Sequence, residues 1–134
     1  MPFVLDVSIA VTWAFEDENH PEATLALDRL QTDEAGVPSL WWFELRNALL
    51  VNERRGRLTE AGTAVFLRDV ARLAIVLDRS PDGTAVLTLA RRHRLTVYDA
   101  AYLELAQRGG LPLASPDGAP RKAAAASGVA LLGD

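Results

Sequence analysis

Four acidic side chains stand in settings where a carboxylate could do chemistry: Asp6, Glu44, Asp99 and Asp117. Asp6 closes the apolar run Phe3-Val4-Leu5, and Ser8 follows two positions later. Such a run reads as a strand buried on both faces, and open α/β sheets bind ligands just beyond the carboxyl ends of their strands. Asp6 would point into that crevice; it would equally serve as the cap of a helix beginning at Val7 or Ser8. Glu44 sits among Leu40-Trp41-Trp42-Phe43 and Leu45. A carboxylate among such neighbours is costly unless it is paired or bound to metal. Its other reading is the solvent stripe of an amphipathic helix, with Trp41 and Leu45 buried instead. Asn47 lies three residues on, on nearly the same helix face.

Asp99, within Val97-Tyr98-Asp99-Ala100, begins a helix, where the helix dipole alone favours an acid. Asp117 belongs to Ser115-Pro116-Asp117-Gly118, strong turn chemistry that recurs unchanged as Ser80-Pro81-Asp82-Gly83. The tetrapeptide therefore does not separate Asp117 from Asp82. Other chemistries lack their parts. The sequence has no cysteine, no Ser-His-Asp set and no glycine-rich phosphate loop. His20 and His93 fall outside the acidic segments and read as surface residues at helix ends.

The elements that must position these acids alternate between helix and short apolar strand. Ser8 to Phe15 reads as a helix, and Pro21 opens a second, capped by Asn19 or His20 and running to about Thr32, with Leu25, Leu27 and Leu30 on its buried side. Gly36-Val37-Pro38 is a strand. Ser39 can cap a helix from Leu40 to Arg55, closed by Gly56 in the left-handed position. Thr59-Glu60 starts a helix through Arg72, and Ala74 to Leu77 is a strand. Helices then end near His93 and, from Tyr98 to Arg108, at Gly109-Gly110. Leu111 to Ala114 is a fourth strand, Gly118 to Ser127 a helix and Val129 to Leu132 a fifth strand. This alternation predicts a parallel sheet covered by helices on both faces.

A length of 134 residues and 49% hydrophobic content predict one domain spanning 1–134. No apolar run approaches the ~20 residues of a membrane span. Without a basic and apolar leader or any cysteine, a cytoplasmic address is the simplest expectation. The net charge of −4 looks wrong for a nucleic-acid binder, although carboxylates gathered around cations would account for most of the excess. Thirteen arginines accompany the single Lys122. Arginine suits forked contacts to phosphate, but the bias equally follows base composition.

Taken in order, the four acids and their surroundings resemble the PIN-domain nucleases. Asp6-Val7-Ser8 matches an opening D-x-S, and Glu44-Leu45-Arg46-Asn47-Ala48-Leu49 matches an E-x-x-N-A-L helix. Leu95 to Leu103 is close to L-x-x-Y-D-A-x-Y-L, and Leu113-Ala114-Ser115-Pro116-Asp117 resembles L-A-T-x-D with Ser for Thr. The spacings of 38, 55 and 18 residues are ordinary for that family. The likeness spans essentially the whole chain, and its motif details resemble the VapC-type toxins of toxin–antitoxin pairs.

The resemblance implies an α/β/α sandwich of three layers with a parallel five-stranded sheet in the order 3-2-1-4-5. That order makes the first and fourth strands neighbours and places Asp117 beside Asp6. Asp82 then follows the edge strand, roughly 10 Å away at ~4.8 Å per strand, and is left to start a helix. Asp6, Glu44, Asp99 and Asp117 would hold magnesium or manganese, hard cations that suit oxygen donors and relieve carboxylate repulsion. Ser8 and Asn47 would support them. The activity implied is endoribonuclease hydrolysis through a cation-activated water, leaving a 5′-phosphate and a 3′-hydroxyl. A cognate antitoxin and a homodimer are the implied partners. Trp13, Trp41, Trp42 and Phe43 would be mostly core, with some lining a groove for either partner.

Arg54, Arg55 and Arg57, and Arg91, Arg92 and Arg94, are candidates for steering the RNA backbone, although solvated helix ends would look the same. The alternative function is a PIN-like binding or scaffolding module that no longer cuts. A phosphoacceptor receiver domain shares the skeleton, but it needs paired acids after the first strand and a lysine near the pocket.

Overall fold

β1 (Phe3–Leu5) is the strand on which the sheet is built, and none of its three side chains is accessible to solvent. The computed structural model describes residues 2–18, 20–116 and 118–133. β1 pairs in parallel with β2 (Ala35–Pro38) on one side and with β4 (Leu113–Ala114) on the other. β3 (Ile75–Asp78) pairs with β2, giving the order β3-β2-β1-β4. An all-parallel sheet needs a covered crossover between strands, which the helices supply.

Register assigns the two faces. Val4, Gly36 and Val76 align, and a Cβ built on Gly36 would stand 3.8 Å from Leu105 Cδ2. This face carries α6 (Val97–Gly109), which packs against α5 (Gly83–His93). On the other face Ile75 and Leu77 line a cleft with Trp41 and Leu45 of α3 (Leu40–Arg54) and with residues of α4 (Glu60–Val70). Short α1 (Val7–Thr12) packs against α3 and against α2 (Pro21–Arg29). α7 (Ala119–Ala126) packs on α6. Among the described residues no helix is long and apolar enough to cross a membrane.

The helices begin and end for local reasons. Thr59 accepts from the Gly62 amide, Asp82 from Ala85 and Thr96 from Asp99, each the side-chain oxygen that N-caps demand. Asp82 is thus the helix-starter expected of it. α3 gives way to Gly56 at φ +77°, and Gly110 caps α6 at φ +63°. α5 instead ends on Arg94 at φ +54°, a left-handed position held by a residue with a side chain.

Several expectations need correction. Val129 to Leu132 does not form a fifth strand; Leu131 makes a single parallel bridge to Leu113. β4 is two residues long and offers no edge for more. Of the three leucines expected on the buried side of α2, Leu30 is buried and Leu25 half-buried, but Leu27 is 40% exposed, and the helix itself buries Ala23 and Ala26. Small residues are wanted there because Trp13 comes close enough for its Nε1 to donate to the Ala23 carbonyl at 2.9 Å. Ser39 stands at the start of α3 but is itself helical and makes no side-chain cap; capping needs an extended residue. His93 is half-buried, 2.9 Å from Ser127 Oγ. His20 is exposed at the start of α2 without a side-chain cap, and Asn19 lies outside the described residues.

Candidate active site

Asp6 is the residue immediately after β1, and its amide still bonds to Ala114 of β4 at 3.0 Å. Its extended backbone lets the carboxylate turn back over α1, where Oδ1 accepts from the Ser8 amide at 3.0 Å and the Ser8 hydroxyl at 2.8 Å. Oδ2 accepts from Ser115 Oγ at 3.3 Å. The two readings of Asp6 are therefore one geometry. It caps α1, and that bond holds a nearly buried carboxylate beyond the end of the central strand.

Glu44 arrives from α3. Trp41, Leu45 and Leu49 form the buried stripe of that helix, and Glu44 stands half-buried at its margin. The Tyr102 hydroxyl donates to Glu44 Oε1 at 2.6 Å. Asp99 arrives from the first turn of α6, half-buried, with its amide held by Thr96. Three separate elements thus bring Asp6, Glu44 and Asp99 within electrostatic reach of one another.

Their proton affinities record that proximity. Burial raises the Glu44 pKa above its ordinary value; the Tyr102 hydrogen bond pulls the other way, and the charges of Asp6 and Asp99 push it further up. Asp99 is raised by burial and then by the Asp6 charge, against the bond from Thr96. No cation is among the groups that shift either acid. Tyr102 is itself pushed far up, by burial first and then by Glu44, so it stays a protonated donor.

The donor set fits a hard divalent cation in kind: carboxylates and hydroxyls, with repulsion that a cation would relieve. Among the described residues, no three His, Cys, Asp or Glu side chains stand close enough to hold one ion as placed. Asp117 lies outside the described residues. The residues available to such a cation are Asp6, Glu44 and Asp99.

The supporting residues divide. Ser8 bonds Asp6, whereas Asn47 is exposed and its side chain makes no hydrogen bond among the described residues. Tyr102 and Ser115 were given no role by the sequence, though both lie inside its motifs. Tyr102 follows Asp99 by three positions, a same-face spacing that could have drawn attention to it. The arginines are exposed at helix ends, but Arg57 is engaged, 3.4 Å from Asp17 and 3.8 Å from Glu18, with its guanidinium over Phe15.

Of the aromatic residues, Trp41 is buried and Trp13 half-buried, while Trp42 and Phe43 are 43% and 70% exposed and meet edge to face at 5.0 Å. Arg46 lies over the Trp42 ring at 3.6 Å. Trp41 and Trp42 line the apolar cleft of about 210 Å³ between α3, α4 and β3. Trp41 Nε1 is buried with no acceptor among the described residues.

Comparison with known proteins gives a consistent result. The family model of the PIN domain matches residues 3–126. Among solved structures, PAE2754 from Pyrobaculum aerophilum is similar at a TM-score of 0.71 and 23% identity, over 92% of this chain and 84% of that one. FitAcB from Neisseria gonorrhoeae is similar at a TM-score of 0.65 and 16% identity, over 98% of this chain and 96% of that one. No curated protein matches.

Proposed function

Because the chain belongs to the PIN-domain family, we propose that it is a metal-dependent endoribonuclease and the toxin of a type II toxin–antitoxin pair. The observation that carries this reading is the meeting of Asp6, Glu44 and Asp99, from three elements, close enough that the Asp6 charge raises both other acids. Asp6, Glu44 and Asp99, together with Asp117, would hold Mg²⁺ or Mn²⁺. When bound, such a cation supplies an activated water for in-line attack on phosphorus and stabilises the charge on the departing 3′ oxygen.

The chain's own part is orientation. Ser8 and Ser115 fix the two oxygens of Asp6, so that carboxylate enters the site in one rotamer. Tyr102 fixes Glu44. Burial of the acids lowers the local dielectric and strengthens their grip on a cation. The exposed arginines Arg54, Arg55, Arg91, Arg92 and Arg94 supply positive charge for the RNA backbone; Arg57, already paired, contributes less.

The toxin half of the proposal draws on the motif likeness to VapC-type toxins, and on the cleft between α3 and α4. An apolar groove lined by Trp41, Trp42, Leu45 and Leu67, with Arg46 beside it, suits a partner segment that brings apolar side chains. The exposed Trp42 and Phe43 beside it suit the same partner or a second copy of the chain. The non-cutting alternative, a binding or scaffolding module, has one observation on its side: among the described residues, no three His, Cys, Asp or Glu side chains gather closely enough for one ion.

RNA cleavage by the purified chain decides between them. Cleavage is expected with Mg²⁺ or Mn²⁺, to stop with chelator, and to fall on Asp6→Asn by more than the roughly 10–100-fold that loss of a ligand's supporting partner costs. Asp6→Asn that cuts at the wild-type rate refutes the site. Binding of RNA without turnover in any divalent cation selects the alternative.

A further inference from the structure

We infer that Tyr102 is a positioning residue whose hydroxyl holds Oε1 of Glu44, so that this carboxylate presents Oε2 alone to a cation. The inference rests on the metal-site reading above and deepens it. α3 and α6 cover opposite faces of the sheet, α3 against Ile75 and Leu77 and α6 against Gly36. The Tyr102–Glu44 bond joins these two layers just past the strand ends, across 58 residues of sequence. At 2.6 Å it has the length of a hydrogen bond to an ionised oxygen. Its donor is 2% exposed, on a helix whose next residues Leu103, Glu104, Leu105 and Ala106 are also buried, so the ring has little freedom. Asp99 rides on the same helix three residues earlier. The bond therefore sets Glu44 of one layer against Asp99 of the other.

Packing does not account for the hydroxyl. A phenylalanine fills nearly the same volume without the cost of burying an oxygen, and a buried phenol persists where its hydrogen bond is used. Glu44 Oε2 has no hydrogen bond among the described residues. One oxygen committed and one free make a carboxylate prepared for single-oxygen coordination.

The test uses the whole chain and Mn²⁺ alone, with no RNA. Titration calorimetry compares wild type, Tyr102→Phe, Glu44→Gln and the double variant. Tyr102→Phe is expected to weaken Mn²⁺ binding roughly 10–100-fold, the range for loss of a ligand's outer partner. It should add nothing in the Glu44→Gln background, because it acts only through that carboxylate. The rise in Tm that Mn²⁺ gives should shrink with the logarithm of that loss, which lost packing alone would not cause. Wild-type affinity in Tyr102→Phe, losses that add in the double variant, or failure of Tyr102→Phe to fold each overturns the inference. Wild-type protein that takes up no Mn²⁺ defeats the metal-site reading as well. Uptake sensitive to Glu44→Gln but indifferent to Tyr102→Phe defeats the inference alone.

Discussion

Glu44 shows how one side chain can oppose folding and serve a site. Its pKa is raised in the folded protein, by burial before anything else, so the folded state binds its proton more readily than the unfolded chain does. The stability associated with the protonated form is complete below the ordinary carboxylate range and is lost as pH rises through the raised value. Asp99 adds to the loss in the same direction. Metal-free Glu44→Gln should therefore melt higher than wild type at pH 7, with the gap closing as the pH falls through the raised value and closed once it reaches 4.5, the ordinary value for this side chain. Thermal melts across that window check it; a gap independent of pH would count against a charge penalty. The sequence exposed this tension, because an acid inside Trp-Trp-Phe-Glu-Leu is legible as an anomaly. It could at most place Tyr102 on the face of Asp99, and it did not name the partner of Tyr102 or of Ser115. A hydrogen bond between residues 58 or 109 apart leaves no local trace.

At the level of elements, α6 carries more than its acid. Glu104, 2% exposed, accepts from the Asp82 amide at 2.7 Å and from Arg108 Nε at 3.0 Å, while Arg108 also reaches Asp78 Oδ2 at 2.6 Å. Arg108 holds the Asp78 carboxyl below its usual range. The set ties the β3–α5 connection to the middle of α6. Glu104→Ala should cost about 1–3 kcal/mol by leaving the Asp82 amide unmet, measured by urea unfolding, with divalent-ion binding near wild type. Periodicity gave no hint of this. Glu104 lies between Leu103 and Leu105, and the amide it serves is 22 residues away. Strand starts and helix caps were far more legible, since Asp82, Thr59 and Gly110 each answer a local backbone demand. The fifth strand was misread because its residues carry strand-like patterning while its partner, β4, is too short to pair along it.

The whole molecule carries a net charge of −4 and yet shows clustered arginines on its surface. The sheet order was legible only through family likeness, because no pattern in a single strand states its neighbours. The placement of two acids was legible for the opposite reason: Asp6 follows a strand end and Asp99 lies in a first turn, where local sequence and global topology agree. Arg94 is where they disagree. Its left-handed backbone is a conformation glycine adopts freely, and an arginine there costs on the order of 1 kcal/mol. A Gly at 94 would make a sturdier protein, and Arg94→Gly should raise the melting temperature. If the guanidinium meets a phosphate, the same change should lower the salt exponent of RNA affinity by about 0.7, the single-strand value for one contact. Durability and grip would then trade against each other at a single residue, and an engineer could set the balance there without touching the acids.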